Sequence, residues 1–450
     1  MTPGQVLWIR DAEAVLGHPS AGGVVVSGGK ILEIVPRGAA PAQPAAGSFD
    51  ARGQVLLPGL VNTHHHFFQT LTRSYRGALN KPLFAWLKAL YPLWAHLDEA
   101  AFRLGVRMAL AELALSGCTT TSDHHYLFPK GLERALDVEV EEAARVGLRV
   151  VLTRGSMSLS DQDGGLPPRS VVQDAEAILR DCERVVRAYH QPGPGAMVQI
   201  ALAPCSPFTV TPELMRDTAH LAESLGVRLH THLGETADEN AHCMGLHGCR
   251  PVEYLERLGW LSDRTWVAHG IHFTDDEIRT LGAAGVGVTH CPSSNMLLAS
   301  GMCRVASLHA AGSPVGLGVD GSASNCSSNL AQEVRQAFLL QRLNDGAGGM
   351  THLRALELAT RGSATVLGRT DIGEIAVGKQ ADLALFALGE LRFSGCEDPL
   401  AALVLSGMHA ASHVMVAGRW IVREGRLETV DVNQLHAQHH QASMRLSAAL

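Results

Sequence analysis

"VLLPGLVNTHHH", residues 55–66, is an apolar segment that ends in three consecutive histidines. Read as a strand, it points successive side chains to opposite faces, so His64 and His66 share one face and His65 takes the other. Two imidazoles spaced this way can grip one ion. Seven more short β-type segments follow: TTTSDHH (119–125), LRVVLTRG (148–155), VQIALAPC (198–205), VRLHTHLGE (227–235), TWVAHG (265–270), VGVTHCP (286–292) and PVGLGVDG (314–321). Longer helical patterns separate them, such as AAFRLGVRMALAELALSG, ALDVEVEEAARVG and TPELMRDTAHLAESLG. Eight strand–helix units predict an α/β chain folded as a (β/α)8 TIM-type barrel. A doubly wound sheet is the alternative, and it lacks its Gly-rich phosphate loop after the first strand.

Outside that rhythm the period changes. GGVVVSGGKILEIV (22–35) reads as a β-hairpin, and AAPAQPAAGS (39–48) as a surface loop. After residue 371, GKQADLALF and HVMVAGRWIVREGR are again short strands with Gly turns. The two chain ends are therefore expected to build one small β-sandwich domain from residues 1–57 and 371–432. The barrel would occupy 58–370, and a C-terminal helix 433–450.

Composition narrows the partners. The chain has 450 residues, 46% of them apolar, which is ample for a large core plus a smaller one. The formal net charge of −7 and the absence of a Lys/Arg run argue against nucleic acid and anionic membranes. Nine widely spread cysteines without CxxC read as reduced thiols of a cytoplasmic protein. MTPGQVLWIRDAEAV lacks the basic and apolar regions of a secretory leader, and no apolar run suits a membrane span. The expected partners are a small molecule and further copies of the chain.

In such barrels chemistry sits at the C-terminal ends of the strands. The polar residues there are His64, His65, His66 and Gln69; Asp123, His124 and His125; Arg154; Cys205; His230, His232 and Glu235; His269; His290, Cys291, Ser293, Ser294 and Asn295; and Asp320, Ser322, Ser324 and Asn325. Taken singly, each histidine is more often structural. Several strands delivering metal- or proton-competent groups to the same end is not a chance pattern. Three neutral imidazoles and an open position make a catalytic divalent-metal site, and His64, His66 and His232 supply them, with Asp320 at the ion or beside its water.

HxH on the first strand, HxxE on the fifth, His on the sixth and Asp on the eighth resemble the amidohydrolase superfamily. "HLGET", "AHG", "HCPSSN", "GVDGSASN" and "GKQADLALF" resemble its cytosine-deaminase-like branch, which deaminates or dechlorinates nitrogen heterocycles. Within that branch, NTHHHFFQTLTR, SDHHYLFPKGLE and ALAPCSPF resemble the bacterial 8-oxoguanine deaminases. The resemblance covers the whole chain. Two-metal members carry a bridging Lys on the fourth strand; VQIALAPC has none, which implies one divalent ion, zinc by ligand type, with iron as the other fit. The resemblance further implies catalytic Glu235, His269 and Asp320. Glu235 would shuttle a proton to a ring nitrogen, His269 would orient the attacking oxygen, and Asp320 would accept the water's proton. The competing reading of Glu235 is a cap for the helix that ETADE begins.

Guanine deaminases carry a Gln three residues after HxH that contacts the purine, and Gln69 stands there. They also clamp the ring with Arg-Phe at the end of strand four, where this chain has Ala203, Pro204 and Cys205. The expected substrate is therefore 8-oxoguanine, hydrolysed to urate and ammonia. Guanine, isocytosine or a hydroxytriazine are the alternatives. Cys205, Arg154 and His124 are candidate contacts to the ring, and Arg73 reads as a rim ion pair. A non-catalytic scaffold would have lost the metal ligands. A carbohydrate-acting Glu235–Asp320 pair would leave three imidazoles without purpose.

Overall fold

The computed structural model describes residues 5–449. The outermost positions of the 1–57 and 433–450 spans, and the first four residues of the leader reading, therefore lie outside the described residues. Eight parallel strands form one sheet in chain order: β1 (Leu60–Asn62), β2 (Cys118–His125), β3 (Arg149–Ser156), β4 (Val198–Pro204), β5 (Arg228–Leu233), β6 (Thr265–His269), β7 (Gly287–His290) and β8 (Val315–Leu317). The Thr63 amide and hydroxyl both donate to Leu317 O, at 3.0 and 2.9 Å, and draw β8 back to β1. The sheet is thus a nearly closed barrel of the TIM type.

Helices surround it: α1 (Leu83–Trp94), α2 (Glu99–Leu115), α3 (Ala135–Val146), α4 (Ala175–Tyr189), α5 (Pro212–Leu225), α6 (Ala237–His247), α7 (Leu330–Asp345) and α8 (Val432–Ser447). Their ends follow local chemistry. Asp98 caps α2 by accepting from Ala101 N, and Thr211 caps α5 ahead of Pro212. Gly226 ends α5 in the left-handed conformation that a C-terminal cap requires.

The quoted segment 55–66 is not one strand. Gln54–Pro58 pairs antiparallel with Leu383–Ala387 in a separate six-stranded sheet, and only Leu60–Asn62 enters the barrel. Gly59 sits between them, where any Cβ would collide with Thr119. The histidines follow the strand and lead into a short 3-10 turn, Phe67–Thr72. Their alternation survives: His64 and His66 rings lie 4.8 Å apart, while His65 turns away to Ser328.

The six-stranded sheet also holds Ala14–Val15, His413–Val416, Arg419–Arg423 and Arg426–Leu427. A four-stranded sheet holds Leu7–Arg10, Ala21–Ser27, Lys30–Pro36 and Gly47–Asp50. Ile9, Val24, Val26 and Ile31 of one sheet share a buried cluster with Leu56, Leu383, Leu385 and Met415 of the other. Residues from both chain ends thus meet in one apolar layer beside the barrel. No helix among the described residues is long and apolar enough to cross a membrane.

Candidate active site

At the C-terminal end of the barrel, four side chains aim ligand atoms at one point. His66 Nε2 lies 3.2 Å from His232 Nε2, and Asp320 Oδ1 lies 3.4 Å from His64 Nε2 and 3.3 Å from His66 Nε2. A tetrahedral ion with ligands at about 2.0–2.1 Å needs ligand atoms about 3.3 Å apart. The donor set therefore fits a divalent transition metal.

The far side of each ring confirms the fit. His66 Nδ1 donates to His124 O at 2.7 Å, and His232 Nδ1 donates to Cys205 O at 2.6 Å. His230 Nδ1 donates to Trp266 O, which leaves His230 Nε2 to accept from His64 Nδ1 at 2.9 Å. Every ligand ring is thereby held in the tautomer whose Nε2 lone pair faces inward. Among the described residues, His64 Nε2 is buried without a hydrogen-bond partner. Burial holds His64 and His66 below the usual histidine range and pushes His232 to about 3, so all three are neutral and ready to ligate.

Asp320 is the ionised member. Burial pushes its carboxyl up, but the facing His64, His269 and His66 rings outweigh burial and hold it well below the usual range. Its Oδ2 accepts from Ser294 Oγ at 2.6 Å, and its Oδ1 from Gly321 N at 2.6 Å. Glu235 Oε2 lies 3.5 Å from His269 Nε2, and burial raises Glu235 to about 7. His269 Nδ1 meets Asn295 Oδ1 at 3.0 Å, which points Nε2 into the cleft. Burial lowers His269, but Glu235, Asp320 and Asn295 raise it more, so its net shift is upward. Glu235 does not cap α6, whose N-cap Thr236 makes no side-chain cap bond; Glu239, inside the helix, accepts from Gly234 N at 2.9 Å and Glu235 N at 3.1 Å and holds the turn before it.

Above these groups lies a narrow cleft. Gln69, Cys205, Glu235, His269 and Asp320 line it, as do His66 and His232. Gln69 Oε1 is buried and accepts nothing from the described residues, and Gly321 lies so close that a Cβ there would overlap it. Cys205 is a neutral thiol, pushed up to about 12 by burial.

Two expected ring contacts are not in the cleft. Arg154 faces outward from β3: its Nε bonds Asp181 of α4 at 2.7 Å, Nη2 bonds Gln173 at 2.8 Å, and the guanidinium lies 3.8 Å above Phe128. Strand alternation decides this, because β3 runs on to Ser156 and leaves Arg154 on its helix-facing side. His124 points inward but one layer too deep. Its ring stacks on His232 at 4.7 Å, and Nε2 donates to Ala203 O at 3.0 Å. His125 is fully buried. Arg73 pairs with Glu112, as a rim arginine would.

Sequence reading also missed part of the cleft. Tyr126 lines it one residue beyond the SDHH segment, a position the strand-end rule reaches. Leu83, Trp86, Leu87 and Tyr91 of α1 cover it from above, together with Phe208 and Leu298. An excursion helix between β1 and α2 carries no strand-end signal.

The amidohydrolase family pattern matches residues 55–421. The chain is 58% identical to the 8-oxoguanine deaminase of Pseudomonas aeruginosa over 444 residues, covering 98% of this chain and 99% of that one. It is 36% identical to hydroxydechloroatrazine ethylaminohydrolase of Pseudomonas sp. strain ADP, across 86% of this chain and 82% of the relative. Among solved structures it resembles zinc-complexed atrazine chlorohydrolase TrzN from Arthrobacter aurescens TC1, with a TM-score of 0.91, 30% identity, and coverage of 97% and 100%. With its barrel, its converging imidazoles and these relatives, the chain belongs to the amidohydrolase family and is a hydrolase acting on C–N bonds.

Proposed function

We propose that this chain hydrolyses 8-oxoguanine to urate and ammonia. The observation that carries the substrate is the 58% identity to the Pseudomonas aeruginosa 8-oxoguanine deaminase across 98% of the chain. The cleft agrees in its chemistry: a buried amide at Gln69 for a ring edge, and a small neutral Cys205 where an arginine clamp would crowd an extra oxygen.

His64, His66, His232 and Asp320 would hold one divalent ion, which we assign as zinc. The zinc-complexed neighbour and the close approach of the imidazole and carboxylate donors support that choice. Bound there, such an ion would supply Lewis acidity, which lowers the pKa of water from 15.7 to about 7. The protein supplies the remaining proton transfers. Glu235, with a pKa near neutrality, takes a proton from the attacking water and gives it to the ring nitrogen beside the amino-bearing carbon. His269, fixed by Asn295 at Nδ1 and favoured as the imidazolium by the facing Glu235 and Asp320, donates from Nε2 toward the oxygen as charge develops on it. Asp320, ionised, accepts the second proton and passes it to the departing amine. A C–N bond breaks, a C=O bond forms, and ammonia leaves.

An 8-oxo ring carries N7–H where guanine carries a lone pair. His124 and His125 do not line the cleft, so the Cys205 sulfur or a main-chain carbonyl is the proposed acceptor. Polar mismatch of this kind discriminates by about 10⁴, whereas a steric difference gives far less. Ammonia-release kinetics at matched pH are expected to give kcat/KM for 8-oxoguanine well above that for guanine. Equal or better turnover of guanine would show that this end of the cleft does not read the five-membered ring. Turnover of a hydroxytriazine and neither purine would make the chain a triazine hydrolase, the reading its atrazine-acting relatives favour next.

We place the enzyme in the cytoplasm, on the strength of nine free cysteines, seven of them buried. Self-association is the expected quaternary state, and exposed Leu339 and Leu343 on α7 offer an apolar surface for it. We divide the chain into a barrel (58–370), a sandwich (1–57 and 371–432) and a terminal helix (433–450), as the shared apolar layer suggests.

A further inference from the structure

On the outer face of β2 lies a second buried polar group that the proposed chemistry does not use. Asp123 and His125 of β2 and Glu139 of α3 are fully buried, with ligand-type atoms within 4.8 Å of one another. Asp123 Oδ1 accepts the amide of Phe67 at 2.6 Å, and Phe67 directly follows His66. The two carboxyls face each other, each with an oxygen within 4.8 Å of the other's. Among the described residues, no N–H or O–H reaches Asp123 Oδ2 or either oxygen of Glu139.

Neighbouring cations do not resolve this. His125 Nδ1 lies 3.9 Å from Glu139 Oε1, too far for a hydrogen bond. Its ring is packed among Phe68, Phe102 and Phe128, and burial lowers it to about 3, so it is neutral. Arg154 is committed to Asp181. Two fully buried carboxylates this close, with no cation paired to either, cannot both be ionised. One proton between them removes a charge and supplies the missing donor.

We propose that Asp123 and Glu139 share one proton, and that Glu139 is a positioning residue: it holds the Asp123 carboxylate on the Phe67 amide and so fixes the turn that presents His64 and His66. This extends the metal reading of those histidines. A part of its test is independent of that reading, because the turn can be observed with no metal present.

Four variants separate the possibilities. Glu139→Gln and Asp123→Asn each keep a donor between the two side chains and an acceptor for Phe67. Glu139→Leu removes the shared proton, and Asp123→Ala removes the acceptor. In metal-free protein, well below each variant's Tm, hydrogen exchange at the Phe67 amide should accelerate about tenfold or more in Glu139→Leu and Asp123→Ala. It should remain near wild type in the two amide variants. In the zinc-loaded protein, ion loss to a chelator should accelerate in the same two variants, and excess zinc should restore kcat. Wild-type exchange in Glu139→Leu would overturn the proposal. So would amide variants as damaged as the truncations, a comparison that survives even if the truncations fail to fold. Two zinc ions per chain, one of them lost in Glu139→Gln, would overturn it in favour of a cation site. Normal Phe67 exchange effects with no bound ion in the wild type would instead sink the metal reading and leave the pair standing.

Discussion

Glu235 and Glu239 are four residues apart, both buried and both raised to about 7, yet they do different work. Glu235 opens onto the cleft and faces His269. Glu239 has its oxygens on two backbone amides. Glu235→Gln preserves shape and hydrogen bonding but cannot carry a proton. A loss of about 10²-fold or more in kcat, with the metal retained, is expected from the usual size of general acid–base effects. Steady-state kinetics beside metal analysis check it, and near-wild-type turnover would place the shuttle elsewhere. Asp320 makes the same point from the other side. Burial alone would neutralise it, and the rings around it keep it charged.

Strand ends and the turns that follow them convert those side chains into a site. His269 and Asp320 both adopt left-handed backbone, at φ 76° and 62°, as β6 and β8 break off beside the cleft. Such conformations cost about 1–3 kcal/mol and persist where surrounding contacts over-determine them. At the end of β5, Gly234 has φ 65° and packs against Phe273, and Glu239 of α6 ties its amide and that of Glu235 together. Glu239→Leu should leave Glu235 in place chemically but free its backbone. We expect kcat to fall by about tenfold or more while KM changes little, since the residue touches no substrate. An equal rise in KM with unchanged kcat would show that the turn serves binding instead.

Across the whole molecule, one ion pair joins the barrel to the neighbouring six-stranded sheet. Arg149 at the start of β3 is fully buried; its Nε bonds Asp382 Oδ2 at 3.0 Å, and Nη1 reaches Ala196 O. Asp382 Oδ1 also accepts from Ala417 N at 2.7 Å. Removing one partner of a buried pair strands the other charge, at about 3–5 kcal/mol. Asp382→Ala should therefore lower Tm markedly while kcat at 25 °C stays near wild type, because the pair lies at the barrel end away from the cleft. Calorimetry with kinetics checks both halves; an unchanged Tm would mean that water or relaxation rescues Arg149.

Much of this protein follows from the chain alone. Period-2 apolar segments alternating with amphipathic helices dictate a parallel barrel, and such a barrel gathers its strand ends. That is why the sequence places His64, His66, His232, Glu235, His269 and Asp320 at one end of the barrel, and why HxH puts His64 and His66 on one side and His65 on the other; their separate roles come from the family resemblance. Tertiary structure decided what spacing cannot encode. The break at Pro58–Gly59 divides one apolar run between two sheets, because the partner strand Leu383–Ala387 comes from a distant part of the chain. The depth of a residue along its strand sent His124 beneath the ligands, and its face sent Arg154 out to Asp181. Asn295 behind His269, α1 over the cleft and Glu139 against Asp123 depend on contacts between elements far apart in sequence. Local pattern sets which face a side chain takes; only packing sets what it meets there.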